Sequence, residues 1–233
     1  MITTPNFYKN EIYLPNAKES VTGDVMSIQS ELLDFISEYE EECLITCLGY
    51  ELANDFMSNL DSSEDNGLIP TADVKWDRLL NGYEYVNPKG ETVKWKGVVF
   101  STFSGGVNDK SFLAYYVYYF YESNAYITRS DLGHQIEVSK NAETVTPTQK
   151  VTKAFRKFIN MVQGGFYSYP EPKFYRDLGN NLVGLDYYGE RKKNRGISLY
   201  TFISDMNELN GDSYYNNFLP FEHIMKESNE FGI

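Results

Sequence analysis

The sequence predicts a mainly α fold: a small helical bundle of about four to five helices with an inserted β-hairpin and extended N- and C-terminal arms. Apolar residues recur at helical spacing in several segments that stop at glycine, namely at Gly49, Gly82 and Gly164-Gly165. One pair of short alternating segments, around residues 83–95, brackets a hairpin turn. The stretches 1–26 and 166–233 are polar and proline-broken, too weakly patterned to build a second core. The predicted division is therefore an N-terminal arm over 1–26, a helical core over 27–165 with its hairpin at 83–96, and a C-terminal extension over 166–233. Both arms are expected to pack largely on other chains.

Within the arm over 1–26, Pro5, Pro15 and Gly23 punctuate the chain and Ile12-Tyr13-Leu14 is a short strand candidate. The first helix is predicted from about Ser30 to Leu48, with Gly49 at its C-cap. At 100° per residue Leu32, Leu33, Ile36, Tyr39, Cys43, Leu44 and Cys47 share one arc. Glu31, Asp34, Glu38, Glu41 and Glu42 fall opposite, and Glu40 breaks the pattern by pointing into the apolar arc. A second helix follows, with Leu52, Phe56 and Leu60 four apart. A short one over Ala72–Leu80 has Thr71 as its expected N-cap and Gly82 past its end. The hairpin pairs Tyr83-Glu-Tyr-Val with Glu91-Thr-Val-Lys-Trp95 across Asn87-Pro88-Lys89-Gly90, which suits a type I turn.

Ser104–Asn108 reads as a flexible joint, and Lys110–Tyr121 as a helix crowded with Tyr and Phe, against its strand propensity. A strand is expected at Gln135–Val138. Thr146-Pro147-Thr148-Gln149 is a capping box with proline at the first helical position, opening a helix to about Gln163. Its buried stripe is Val151, Phe155, Phe158, Ile159 and Val162, and its basic side is Lys150, Lys153, Arg156 and Lys157. Beyond it lie the stiff Tyr169-Pro-Glu-Pro172, the basic run Arg191-Lys192-Lys193-Asn194-Arg195, and a last helix over roughly Leu199–Leu209.

Charge divides the chain. The formal net charge is −12, and residues 1–70, with Lys9 and Lys18 against 14 acidic residues, account for all of it. Phosphate binding needs Lys and Arg, so an acidic segment on a neutral body disfavours wrapping nucleic acid and fits a surface that must stay unattached to DNA, one that meets a basic partner, or simple solubility. The longest apolar stretch, Phe112–Tyr121, is half tyrosine and too short for a membrane span. Residues 1–6 carry no basic start or apolar segment, so no secretory signal is expected.

Catalytic signatures are sparse. His134 and His223 stand in unrelated contexts with no nucleophile elbow, and no phosphate loop or dinucleotide fingerprint occurs. Cys43 and Cys47 lack companions for a metal site and read as small buried hydrophobes. Glu38, Glu41 and Glu42 read as a solvated face rather than paired acids, since a catalytic acid needs a raised pKa. The chain is expected not to be an enzyme and to need no cofactor or metal.

Several segments together resemble head–tail connector (adaptor) proteins of tailed bacteriophages, of the type found in phages of Bacteroidetes. They are Leu32-Leu33-Asp34-Phe35-Ile36-Ser37-Glu38-Tyr39-Glu40-Glu41-Glu42 running into Cys47-Leu48-Gly49-Tyr50-Glu51-Leu52, and Lys75-Trp76-Asp77-Arg78-Leu79-Leu80-Asn81-Gly82-Tyr83. Lys94-Trp95-Lys96-Gly97, Lys140-Asn141-Ala142-Glu143-Thr144-Val145-Thr146-Pro147 and the terminal Asn229-Glu230-Phe231-Gly232-Ile233 complete the set. The resemblance covers residues 28–165 and the last few. It departs from the pattern at Phe100–Ser111, which looks like an insertion, and after Gly165.

What it implies is a structural virion protein, made in the host cytoplasm, whose copies form a ring beneath the portal. The ring usually follows the portal's twelvefold symmetry and carries genomic DNA through without sequence-specific binding. Implied partners are itself, the portal and other neck or tail proteins, with no membrane. The expected contact residues are Glu38, Glu41 and Glu42, facing Lys150, Lys153 and Lys157 or Arg191, Lys192, Lys193 and Arg195, with Phe231 and Ile233 in a docking tail. Rival readings are a carbohydrate-binding or glycosidase-like tail protein, which predicts exposed aromatic platforms, and a cytoplasmic regulatory binder.

Overall fold

The computed structural model describes residues 1–14, 28–61, 67–101, 109–125, 128–130, 133–135, 148–164, 197–211 and 214–219. Six α-helices and three two-stranded ladders run through them, so the fold is mainly α with a β insertion. In chain order the elements are α1 (Ile28–Leu48), α2 (Tyr50–Ser58), α3 (Val74–Asn81), β1 (Tyr83–Val86), β2 (Thr92–Trp95), β3 (Val99–Phe100) and β4 (Lys110–Ser111). There follow α4 (Phe112–Ala125), β5 (Thr128–Ser130), β6 (Gly133–Gln135), α5 (Thr148–Ile159) with a π-helical turn over Asn160–Gly164, and α6 (Leu199–Asn210).

Helix α1 buries the arc its periodicity marks: Leu32, Ile36, Cys43, Leu44 and Cys47 are sealed from solvent. It ends because Gly49 turns the chain at a φ of 86°, donating its amide to the Ile45 carbonyl at 2.9 Å while its own carbonyl starts α2. Helix α4 is apolar on every side, and Phe112 through Tyr118 are all buried. Enclosure thus overrides strand propensity, as an all-round apolar helix belongs in a core. The Ser111 hydroxyl accepts the Leu113 amide at its start.

Three helices make one layer. α4 runs antiparallel to both neighbours, meeting α1 through Tyr116, Phe120 and Tyr121 and α5 through Phe112, Tyr116 and Tyr119. The other half of the core is an aromatic cluster of Phe56, Trp76, Tyr85, Trp95, Phe202 and Tyr215, drawn from α2, α3, the hairpin, α6 and the turn after it. The two predicted segments pair with Tyr83 opposite Trp95 and Val86 opposite Thr92, so that Asn87 rather than Val86 faces Glu91 across the turn. The Asn87 side chain braces its turn by accepting the amides of Lys89 and Glu91. The Trp95 indole donates to the Leu79 carbonyl at 3.0 Å and ties the hairpin to α3.

Several expectations need correction. The N-terminal arm runs over its own chain: residues 1–14 form two single 3₁₀ turns, Pro5–Phe7 and Asn10–Ile12, in place of a strand at Ile12–Leu14. Ile2, Phe7, Tyr8, Ile12 and Leu14 are buried in the common core, because the groove across the α1–α4–α5 layer offers them more apolar cover than solvent does. The last helix is likewise no arm, since Leu199, Phe202, Ile203 and Met206 are core residues. α3 starts at Val74, and Asp73 rather than Thr71 caps it by accepting the Lys75 amide at 2.9 Å. The ends of the stretch that looks like an insertion pair as a short ladder, Val99 facing Ser111 and Phe100 facing Lys110, while residues 102–108 between them lie outside the described residues. β6 covers Gly133–Gln135, and residues 136–138 of the expected strand lie outside the described residues. The Ser104–Asn108 joint, most of the Thr146–Gln149 capping box and the stretch 165–196 lie outside the described residues. Among the described residues no helix is long and apolar enough to cross a membrane.

Candidate functional site

The charged faces predicted for the contact lie on the two flanks of α4. On α1, Glu38, Glu41 and Glu42 are exposed, and neither Glu38 nor Glu41 has an ion pair among the described residues. Glu42 is only partly free, since its carboxylate accepts the Tyr116 hydroxyl at 2.7 Å and so fastens α1 to α4. On α5, Lys153 and Arg156 are exposed. Lys150 and Lys157 are already engaged. The Lys150 ammonium donates to the Tyr13 carbonyl at 3.2 Å and stands 5.3 Å from the centre of the Tyr118 ring. Lys157 pairs with Glu11 and stands over the Tyr115 ring. Arg191, Lys192, Lys193, Arg195, Phe231 and Ile233 lie outside the described residues.

The first fourteen residues act as a strap between these flanks. At one end Glu40 of α1, 6% exposed, accepts the Ile2 amide at 2.9 Å and both the amide and the hydroxyl of Thr3 at 2.5 Å. At the other end Glu11 takes the Tyr115 hydroxyl at 2.6 Å together with Lys157. Midway, Lys9 pairs with Asp109 at 2.5 Å. Glu40's misplacement in the apolar arc is thereby explained, because it is the receptor for the chain's own N-terminal segment. Sequence reasoning found the anomaly but missed its partner, and nothing local marks Glu11 as a ligand of α5.

Burial and bonding oppose each other at these carboxylates, and the balance differs between them. Burial pushes the Glu40 carboxyl above its ordinary value despite the hydrogen bonds from Thr3 and Ile2, which pull the other way. Burial also pushes Glu11 upward, but Lys157 and the Tyr115 hydroxyl outweigh it and hold the carboxyl below the usual range. The Tyr115, Tyr116 and Tyr85 hydroxyls are raised well above the tyrosine norm, first by burial and then by the hydrogen bonds they donate to Glu11, Glu42 and Asp205. These tyrosines are proton donors locked in place.

The layer also carries a belt of half-buried rings: Phe155, Tyr119, Phe120, Tyr39 and Phe35. Tyr39 lies nearly parallel to Phe120, at 13° and 4.7 Å, and to Phe35, at 15° and 5.5 Å. Rings stacked face to face spend their π faces on each other, so the belt is a poor platform for a sugar. A cleft of about 220 Å³ between strap and α5 is lined by Glu11, Ile12, Lys150, Lys153 and Ala154. Its lining carries one carboxylate and two lysines, and Glu11 is already paired with Lys157. The Cys43 and Cys47 sulfurs are 4.0 Å apart and fully buried, and burial raises the Cys43 thiol well above its norm, which makes it unreactive. Among the described residues no three His, Cys, Asp or Glu side chains converge on a common metal position.

Compared with models of protein families, with curated proteins and with solved structures, the chain finds no match.

Proposed function

We propose that the chain is a structural subunit of a ring at the head–tail junction of a tailed bacteriophage, an adaptor that docks on the portal and continues the DNA channel. The observation that carries this reading is the separation of unlike charge. Glu38 and Glu41 stand exposed on α1, and Lys153 and Arg156 stand exposed on α5, with α4 between them. A subunit with complementary faces on opposite flanks associates head to tail, and such contacts close into rings when the rotation per subunit divides the circle. The resemblance of residues 28–165 to connector proteins supplies the setting. The role is mechanical and needs no catalytic group.

A charge-swap series tests it. Glu38→Lys with Glu41→Lys places like charges across every subunit contact and abolishes ring formation on portal particles, judged by negative-stain imaging. Lys153→Glu with Arg156→Glu does the same, and combining all four substitutions restores rings. Glu42 is left intact because it holds Tyr116. If the α1 face instead lines the channel, its reversal leaves rings whole and gives them affinity for DNA. Intact rings with no DNA binding in both reversed variants overturn the reading.

A further inference from the structure

We infer that the groove holding the N-terminal strap is a docking site for the strap of a second copy of this chain, so that neighbouring subunits exchange residues 1–14 when they assemble. The inference rests on the ring reading for its setting, but its contacts are all visible in one chain.

The strap has no structure of its own beyond two single 3₁₀ turns without side-chain caps. What fixes it is the groove, which takes Ile2, Phe7, Tyr8, Ile12 and Leu14 out of water. The groove in turn requires an occupant. Among the described residues, every hydrogen bond to the buried Glu40 carboxylate comes from residues 2 and 3 of the strap. An empty groove opens that carboxylate and its apolar lining to water and forfeits three buried hydrogen bonds together with the apolar burial. The strap of any copy supplies the same two amides, the same hydroxyl and the same apolar side chains, so the groove has no means of distinguishing its own strap from a neighbour's.

Reach permits the exchange. Residues 15–27 join Leu14 to Ile28, and fourteen steps at about 3.3–3.6 Å span up to roughly 50 Å. That exceeds twice the radius of gyration of about 17 Å expected for a chain of this length. In a dilute monomer the tether favours the chain's own groove, through an effective concentration in the millimolar range. In a ring that holds a neighbour's groove within this reach, the strap can take either groove, and exchange then sacrifices no contact. Exchanged straps would interlock subunits whose charged faces alone give weak, salt-screened contacts.

The test uses full-length chains with paired cysteines at the strap anchors: Lys9→Cys with Asp109→Cys and, as a second pair, Glu11→Cys with Lys157→Cys. Each pair replaces one half-exposed ion pair, and Cys43 and Cys47 are buried beyond reach of the reagent. The protein is treated with a short bismaleimide when dilute and again when concentrated until sedimentation shows assemblies, then run on a denaturing gel. Exchange predicts internally linked monomer in the dilute sample and a ladder of covalent dimers and larger species in the assemblies. A chain monomeric at every concentration, or assemblies holding only internally linked monomers, overturns the inference. Closed rings with internal links alone sink strap exchange and leave the ring reading standing. Interlinked species that never close into rings do the reverse.

Discussion

Replacing Glu40 tests the strap's attachment directly. Its carboxylate accepts the amides of Ile2 and Thr3 and the Thr3 hydroxyl, and all three donors are buried. Hydrogen bonds to a charged acceptor are worth about 1.5–3 kcal/mol each, so removing three has a ceiling of roughly 5–9 kcal/mol. The realised cost is smaller, because a strap that lifts away returns its amides to water. Glu40→Ala is therefore expected to destabilise the chain by about 2–4 kcal/mol, lowering the thermal midpoint by roughly 4–16 °C at this size. Glu40→Gln keeps one oxygen but turns an amide NH₂ toward a donor, and falls between Ala and the parent.

The pH dependence has a defined sign. Burial raises the Glu40 pKa above its ordinary 4.5, so the folded chain retains a proton that the unfolded chain has released. Glu40's contribution is thus fully present below that ordinary value and is lost as pH rises through the raised one. Glutamine does not titrate, so the deficit of Glu40→Gln relative to the parent shrinks as pH rises through that window. Urea unfolding followed by circular dichroism at several pH values, with hydrogen exchange at the Ile2 and Thr3 amides, measures both effects. An alanine variant within about 0.5 kcal/mol of the parent, with those amides still protected, refutes the account.

The other predictions concern separate parts of the fold. Glu11 is held below the usual carboxylate range, so its stabilisation is present above 4.5 and lost as pH falls through its lowered value. Glu11→Gln is expected to flatten that acid limb of the stability curve, read by thermal melts between about pH 2 and 6. Gly97 sits at a φ of 102°, where an added Cβ would meet the Leu80 carbonyl oxygen at 2.5 Å and the Val99 oxygen at 2.7 Å. Gly97→Ala should cost more than the 1–3 kcal/mol of backbone strain alone, by about another kcal/mol or more. Gly90 at φ 81° has open space around it, so Gly90→Ala should cost only about 1–2 kcal/mol, and equal urea midpoints for the two variants contradict this comparison. Tyr116→Phe leaves the Glu42 carboxylate on the surface and is expected to cost about 0.5–1.5 kcal/mol by urea unfolding, while Glu38→Gln, with no described partner, leaves stability unchanged.

What was legible in the sequence is what local periodicity encodes. The α1 arc of Leu32, Ile36, Cys43 and Cys47, the Gly49 stop and the two segments of the hairpin all follow from local spacing and turn residues, although the hairpin's register does not. The strap was not legible, because Ile2, Phe7, Tyr8, Ile12 and Leu14 have no regular period and their partners lie far along the chain. Glu11 and Lys157, for instance, are separated by 146 positions. α6 was readable as a helix but not as core. Its place is set by contacts such as the Tyr85 hydroxyl on Asp205, at 2.7 Å and 120 positions away. Within the predicted basic side, sequence gave no means of telling the engaged Lys150 and Lys157 from the exposed Lys153 and Arg156.

The abundance of both tyrosine and carboxylate has one physical root in this fold. Only two ion pairs, Lys9–Asp109 and Lys157–Glu11, join described residues, although the chain carries 33 acidic residues. Carboxylates are held instead by hydroxyls and amides: Tyr115 on Glu11, Tyr116 on Glu42, Tyr85 on Asp205, and the strap on Glu40. A neutral donor stabilises a carboxylate without cancelling its charge, so acids can be used as structural acceptors while the long-range negative field survives. Salt screens that field at the surface but acts weakly on buried hydrogen bonds. Added salt should therefore weaken association through Glu38 and Glu41 well before it reduces the stability of the monomer. Ring dissociation and unfolding that shift together with salt would show that the two sets of acids are not separable in this way.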